Sequence, residues 1–181
     1  MAFYKDMKHK TRQEKRVEAA ARGGFEEKDI ASIGVGIPGV ADEKTGHVIF
    51  CTNLGWSDVP LRTELQKYLN KPVYIDNDAT VAGFAESICG VSAGCHSSVF
   101  MTLGTGVGGG VVLGGELYGG ARGIAGELGH FTLYQDGAPC PCGKRGCLEH
   151  YAATTALVRR AQEATGETQL NGRVIFDRAQ R

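Results

Sequence analysis

One stretch of the chain constrains its fold more than any other. Gly126-Glu127-Leu128-Gly129-His130 is followed by Cys140-Pro141-Cys142-Gly143-Lys144-Arg145-Gly146-Cys147, a spacing of H-x9-C-x-C-x4-C. One imidazole and three thiols are a donor set that suits tetrahedral zinc. Gly143 and Gly146 let the backbone turn tightly enough for three sulfurs to converge. Four protein donors, His130, Cys140, Cys142 and Cys147, leave no position for water, so the expected Zn²⁺ is structural rather than catalytic. Clustered cysteines in a cytoplasmic protein point to metal more often than to disulfides. Reduced, unligated thiols are the bland alternative. Cys51, Cys89 and Cys95 lie outside the cluster and read as small buried hydrophobes.

The rest of the chain reads as an α/β protein. Its 181 residues can bury a core in one domain or two small ones. Twenty basic residues balance twenty acidic ones, which argues against nucleic-acid binding through bulk charge. No apolar run approaches the ~20 residues of a membrane span. The segment MAFYKDMKHKTRQEKR has no apolar core of a secretory signal, so a cytoplasmic location is expected. Residues 1–30 read as a solvated helix ending at Gly23-Gly24. Residues 30–40 form a buried strand that breaks at Pro38-Gly39, and 47–50 a short strand with a loop at 52–56. Ser57 or Asp58 caps a helix that carries Leu61, Leu65, Tyr68 and Leu69 at helical spacing. A strand at 72–75 runs into a helix over 79–88. Residues 97–115 form a hairpin whose first strand is buried, and 116–150 is loop-rich. A helix spans 148–164 with Gly166 at its C-terminal cap, and another begins near the end. Alternation of strands and helices defines the class.

Two further segments carry chemistry. Leu103-Gly104-Thr105-Gly106-Val107-Gly108-Gly109-Gly110 links two apolar strands. Its glycines allow close approach of an anion to backbone N–H groups, and Thr105 adds a hydroxyl. No Walker A or dinucleotide fingerprint is present, so ligand binding and a purely structural turn both stay open. Asp76-Asn77-Asp78 stands where a strand ends and a helix begins, the edge at which open α/β sheets bind ligands. A carboxylate there can take a proton from a substrate hydroxyl, and an adjacent amide can pair with hydroxyls. Helix capping explains the same residues equally well. Glu127 and Glu149 would be held rigid by the metal site, and His130 could bind zinc through one nitrogen while offering the other to a ligand.

GVGIPG, NLGW, DNDA, LGTGVGGG, GELGH and CPCGKRGCLE, in this order, resemble the ROK family of bacterial sugar kinases and sugar-responsive repressors, over roughly residues 30–180. The resemblance implies an actin-like ATPase (ribonuclease H-like) fold, with 1–75 in a smaller domain and 76–181 in a larger one that carries the zinc segment 126–150. It implies a glucokinase-like enzyme that transfers phosphate from ATP with Mg²⁺ to a hexose 6-hydroxyl. Asp78 takes the role of catalytic base. Asn77, Glu127, His130 and Glu149 resemble the sugar-binding set, with Pro38, Gly39 and Asn53 on loops that flank the sugar. Gly104, Thr105 and Gly106 resemble a phosphate-binding turn. A homodimer is favoured.

The family's N-terminal Asp-x-Gly-Gly-Thr phosphate motif does not appear in residues 1–30, and its later adenosine-binding glycine segment is also missing. The chain is therefore expected to be an incomplete version of a longer kinase. A non-catalytic sugar-sensing regulator and an inactive zinc-stabilised fragment are the competing readings.

Overall fold

The computed structural model describes residues 22–180. The helix expected over 1–30 falls largely outside them; its described end turns at Gly24 with φ +77°. The strands are β1 (Ile33–Ile37), β2 (Val40–Asp42), β3 (His47–Cys51), β4 (Trp56–Val59), β5 (Val73–Asn77), β6 (Ser98–Leu103), β7 (Val107–Leu113) and β8 (Glu116–Leu117). The helices are α1 (Leu61–Gln66), α2 (Asp78–Cys89), α3 (Glu149–Ala152), α4 (Thr154–Thr165) and α5 (Gly172–Ala179). β1 and β5 pair in parallel, with Gly36 opposite Asp76 and Ile37 opposite Asn77. β2-β3-β4 and β6-β7-β8 are antiparallel sheets. Ile37, Ala41, Val48, Cys51, Val73 and Ile75 form the core beneath the first two sheets.

Several elements differ from their sequence reading, each for a local reason. Ser57 and Asp58 do not cap α1 but lie in β4, where Asp58 has φ +51° and its carboxylate meets His47 Nδ1 at 3.2 Å. Pro60 occupies the N-cap position of α1 with no side-chain bond. The strands expected to be buried, at 30–40 and 97–103, instead alternate between an inward and an exposed face, and the inward residues of β6 are half-buried. Gly34 and Gly36 of β1 and Val99, Met101 and Leu103 of β6 face outward. Cys51 is fully buried and donates to the Pro38 carbonyl at 3.2 Å, whereas Cys89 and Cys95 are exposed at the end of α2 and in the following turn. The single helix expected over 148–164 is broken at Ala153, whose ψ is 154°. There Thr154 N–H donates to the Gly104 carbonyl at 2.8 Å instead of continuing the helical ladder. Arg159 satisfies the freed His150 carbonyl at 3.1 Å.

The glycines of β7 do more than form a turn. A Cβ on Gly83 of α2 would sit 2.8 Å from Phe100 Cβ and 3.2 Å from Gly110 Cα. One on Gly108 would lie 2.6 Å from Ala79 Cβ. Small residues on both surfaces let α2 settle directly onto β7, which brings the start of α2 close to the turn at 104–106.

Candidate functional site

The ends of β1 and β5 and the start of α2 assemble one side of a cleft. Asn77 is the N-cap of α2. Its Oδ1 accepts from the Ala79 and Thr80 amides at 3.0 and 3.1 Å, and its Nδ2 donates to the Gly39 carbonyl at 3.1 Å. The capping reading of Asn77 is therefore realised, and the same side chain ties the Pro38-Gly39 bend to the strand end. A Cβ on Gly39 would lie 2.5 Å from the Phe50 carbonyl, so the bend needs glycine. Asp78 is the first residue of α2. It is exposed, and its Oδ1 accepts from Ala79 N at 2.9 Å.

The opposite wall comes from Gly123, Ile124, Gly126 and Glu127. Gly126 is pressed against β7 and α2, where a Cβ would stand 2.5 Å from the Gly109 carbonyl and 2.7 Å from Thr80 Oγ1. This contact turns Glu127 toward the cleft. Its Oε2 lies 3.9 Å from His130 Nε2, while His130 Nδ1 lies 3.6 Å from Cys140 Sγ. One ring nitrogen thus faces the thiols and the other faces the cleft side.

His130, Cys140, Cys142 and Cys147 place their donor atoms within 4.8 Å of one another, a set that could hold a metal ion. Cys142 and Cys147 sulfurs are 3.6 Å apart. Burial, together with the neighbouring Cys140 and Cys142 thiols, pushes Cys147 up to about 12 in the absence of metal. The Lys144 amide lowers Cys142. Gly146 lies against the Tyr134 carbonyl, and Gly143 has φ +88°, so the tight turns anticipated at both glycines are present.

Glu149 is not in the cleft lining. Its Oε2 accepts from Val107 N at 2.9 Å, directly after the glycine turn. In that turn Gly104 N donates to the Gly106 carbonyl at 2.9 Å. The amides of Thr105 and Gly106 and the Thr105 hydroxyl donate to no group among the described residues. They remain available to an anion. Gly39, Asn77 and Glu127 are thus brought together in one cleft, whereas Pro38, Asn53, Asp78, His130 and Glu149 stand outside its lining. Asn53 is exposed in a short turn of helix, Thr52–Leu54.

Of the polar lining residues, Thr80 escaped the sequence reading, and Asp76 entered it only as part of the Asp76-Asn77-Asp78 run. Thr80 donates through Oγ1 to the Gly109 carbonyl at 3.2 Å. Asp76 accepts from Asn77 N at 2.7 Å. Both stand in or beside the DNDA run, and their proximity to a candidate base was the available signal. Burial raises the Asp76 carboxyl above its ordinary value, with the Asn77 amide opposing and Glu43 adding to the rise. The folded chain therefore holds this proton more tightly than the unfolded one. Asp76 favours folding at pH below its ordinary value, and that contribution is lost as pH rises through the raised one. Asp76→Asn is expected to flatten this part of the stability–pH curve without lowering the neutral-pH melting temperature. A steeper curve by thermal denaturation would contradict this.

Comparison with known proteins gives these pieces a common frame. The α/β fold is that of a group of sugar kinases and of regulators that share their architecture. The chain belongs to the ROK family, which it matches over residues 17–181. It is 44% identical to a glucokinase of Halalkalibacterium halodurans over 140 residues, covering 77% of this chain and 42% of that protein. It is 39% identical to a xylose repressor of Caldicellulosiruptor bescii, covering 72% of this chain and 33% of the repressor. A ROK hexokinase structure from Thermus thermophilus superposes with a TM-score of 0.75 at 41% identity, over 91% of this chain and 55% of that one. A Streptomyces griseus ROK glucokinase solved with glucose and AMPPNP gives 0.70 at 36% identity, over 82% and 47%. The likeness implies the actin-like ATPase fold. The chain spans about half or less of the length of these relatives. Among the described residues no helix is long and apolar enough to cross a membrane.

Proposed function

We propose that the chain forms the sugar-binding centre of an ATP-dependent, glucokinase-like hexose kinase, with Asp78 as base. The observation that carries this is the convergence of Gly39, Asn77 and Glu127 on one cleft, with Asp78 beginning α2 beside it. Amides and carboxylates placed together in a concave site suit a hydroxyl-rich ligand. Asn77, Glu127, His130 and Glu149 pair with sugar hydroxyls, flanked by Pro38, Gly39 and Asn53. The turn Gly104-Thr105-Gly106 meets phosphate oxygens through its free donors, the Thr105 and Gly106 amides and the Thr105 hydroxyl. Residues up to 75 and from 76 onward belong to the two domains that flank the cleft. ATP enters as the donor with Mg²⁺, which neutralises phosphate charge when bound. Asp78 accepts the proton of the attacking sugar hydroxyl as its oxygen bonds to the γ-phosphorus. The bond from that phosphorus to the β,γ-bridging oxygen breaks, and ADP leaves.

The four donors His130, Cys140, Cys142 and Cys147 fit Zn²⁺ in number and chemistry. When bound, zinc supplies a rigid crosslink with no open position. Glu127 and Glu149 then project from a braced segment. The match to xylose repressors supports a second reading, a sugar sensor without turnover. Calorimetry of the zinc-loaded chain with glucose tests the part the two readings share. Saturable binding is expected, and absence of heat from glucose, mannose and N-acetylglucosamine alike would remove the sugar site. Turnover separates the readings, as argued in the Discussion.

A further inference from the structure

The glycine turn is fastened to the segment that leaves the thiol cluster, residue by residue. Thr154 N–H donates to the Gly104 carbonyl at 2.8 Å, and Thr155 Oγ1 donates to the Thr105 carbonyl at 2.9 Å. Glu149 Oε2 accepts from Val107 N at 2.9 Å. Gly106 lies so close that a Cβ there would collide with the Glu149 carboxylate. Glu149 itself stands two residues beyond Cys147, and Leu148 N–H donates to the Phe131 carbonyl at 3.0 Å, next to His130. The other carboxylate oxygen, Oε1, has no hydrogen-bond partner among the described residues.

We propose that Glu149 is a positioning residue that couples hexose binding to the phosphate turn, by holding the Val107 amide through Oε2 while Oε1 receives a sugar hydroxyl. This rests on the sugar-site reading above and adds a route between its two halves. A carboxylate held at both oxygens has lost the rotation that either bond alone permits. A sugar bound at Oε1 therefore fixes the Val107 amide, and with it the turn whose Thr105 and Gly106 donors await phosphate. Linkage requires the reverse as well: whatever orders the turn tightens the sugar by the same factor. The small volume at Gly106 is then a requirement of the sugar site, although Gly106 belongs to the phosphate turn.

Amide exchange of the zinc-loaded chain, read on a peptide covering 103–108, tests the coupling. Saturating glucose is expected to slow exchange there. Gly106→Ala, whose Cβ displaces the carboxylate, is expected to weaken glucose about tenfold by calorimetry, the scale of one charge-assisted hydrogen bond. Thr155→Val frees the Thr105 carbonyl and leaves Glu149 in place, so it guards against a misfolded Gly106→Ala. It should retain the glucose-dependent slowing. Glucose binding with no change in exchange, unchanged affinity in Gly106→Ala, or loss of the slowing in Thr155→Val would each overturn the coupling and leave the sugar site standing. No binding of glucose, mannose or N-acetylglucosamine to the unaltered chain would overturn both.

Discussion

A chelator strong enough to strip zinc is expected to unfold residues 126–150 and lower the melting temperature by more than about 10 °C. The reason is the poverty of that segment in anything else that could hold it. Its regular structure is the single turn Leu128–His130, α3 at its end and two isolated bridges, Thr132 with Cys147 and Pro139 with Arg145. Phe131, Leu133 and Tyr134 are exposed. The segment's buried residues include Cys140 and Cys147, two of the four donors. Structural zinc sites contribute on the order of 10 kcal/mol to folding, which zinc bound at this cluster would supply in place of an apolar core. Glu127 and Glu149 flank the cluster, so glucose heat should vanish with the metal. The checks are differential scanning fluorimetry, exchange over 126–150, and colorimetric release of one zinc per chain. A metal-free chain with the same melting temperature and the same exchange would rule out a structural metal.

What the sequence made legible was whatever depends on local order. The donor spacing of the cluster, the DNDA junction and the hairpin around Gly104–Gly106 each occupy one short run, and the structure assembles them as such. Harder to read were features set by distant partners. The helix break at Ala153 depends on the Gly104 carbonyl capturing Thr154 N–H, a contact spanning fifty residues that no helical periodicity encodes. Gly83 and Gly108 look like loose punctuation in sequence, yet each removes a Cβ from the α2–β7 contact. Ser57 and Asp58 have the chemistry of caps, but pairing of β4 with β3 claims them first. Cys89 and Cys95 have the composition of buried residues and the position of exposed ones. Residue type also could not distinguish Glu127, which lines the cleft, from Glu149, which bonds to the glycine turn.

Asp78→Asn, made in the full-length polypeptide that carries this segment, is expected to lower kcat by about 10²–10⁴ while hexose affinity stays within about threefold. The structure makes this a clean substitution. Asp78 is exposed, and the one hydrogen bond its side chain makes among the described residues, from Ala79 N to Oδ1, can be kept by the amide oxygen of Asn. Folding should therefore change by no more than about 1 kcal/mol, the scale of losing a carboxylate at a helix N-terminus. The change removes the ability to accept a proton and one negative charge at the start of α2, and keeps the shape of the side chain. Asn77→Ala provides the contrast. It frees the Ala79 and Thr80 amides at the head of α2 and releases Gly39, so stability and hexose affinity should fall together, with about 1 kcal/mol lost from the cap alone. A coupled assay for hexose phosphate, calorimetry and thermal denaturation on both variants separate base from scaffold. Turnover within tenfold of the unaltered protein in Asp78→Asn would remove Asp78 from the chemistry. Absence of any turnover in the unaltered full-length protein, with hexose bound and ATP saturating, would favour the sensor, because a sensor needs the cleft and its metal brace but has no use for a proton acceptor at the start of α2.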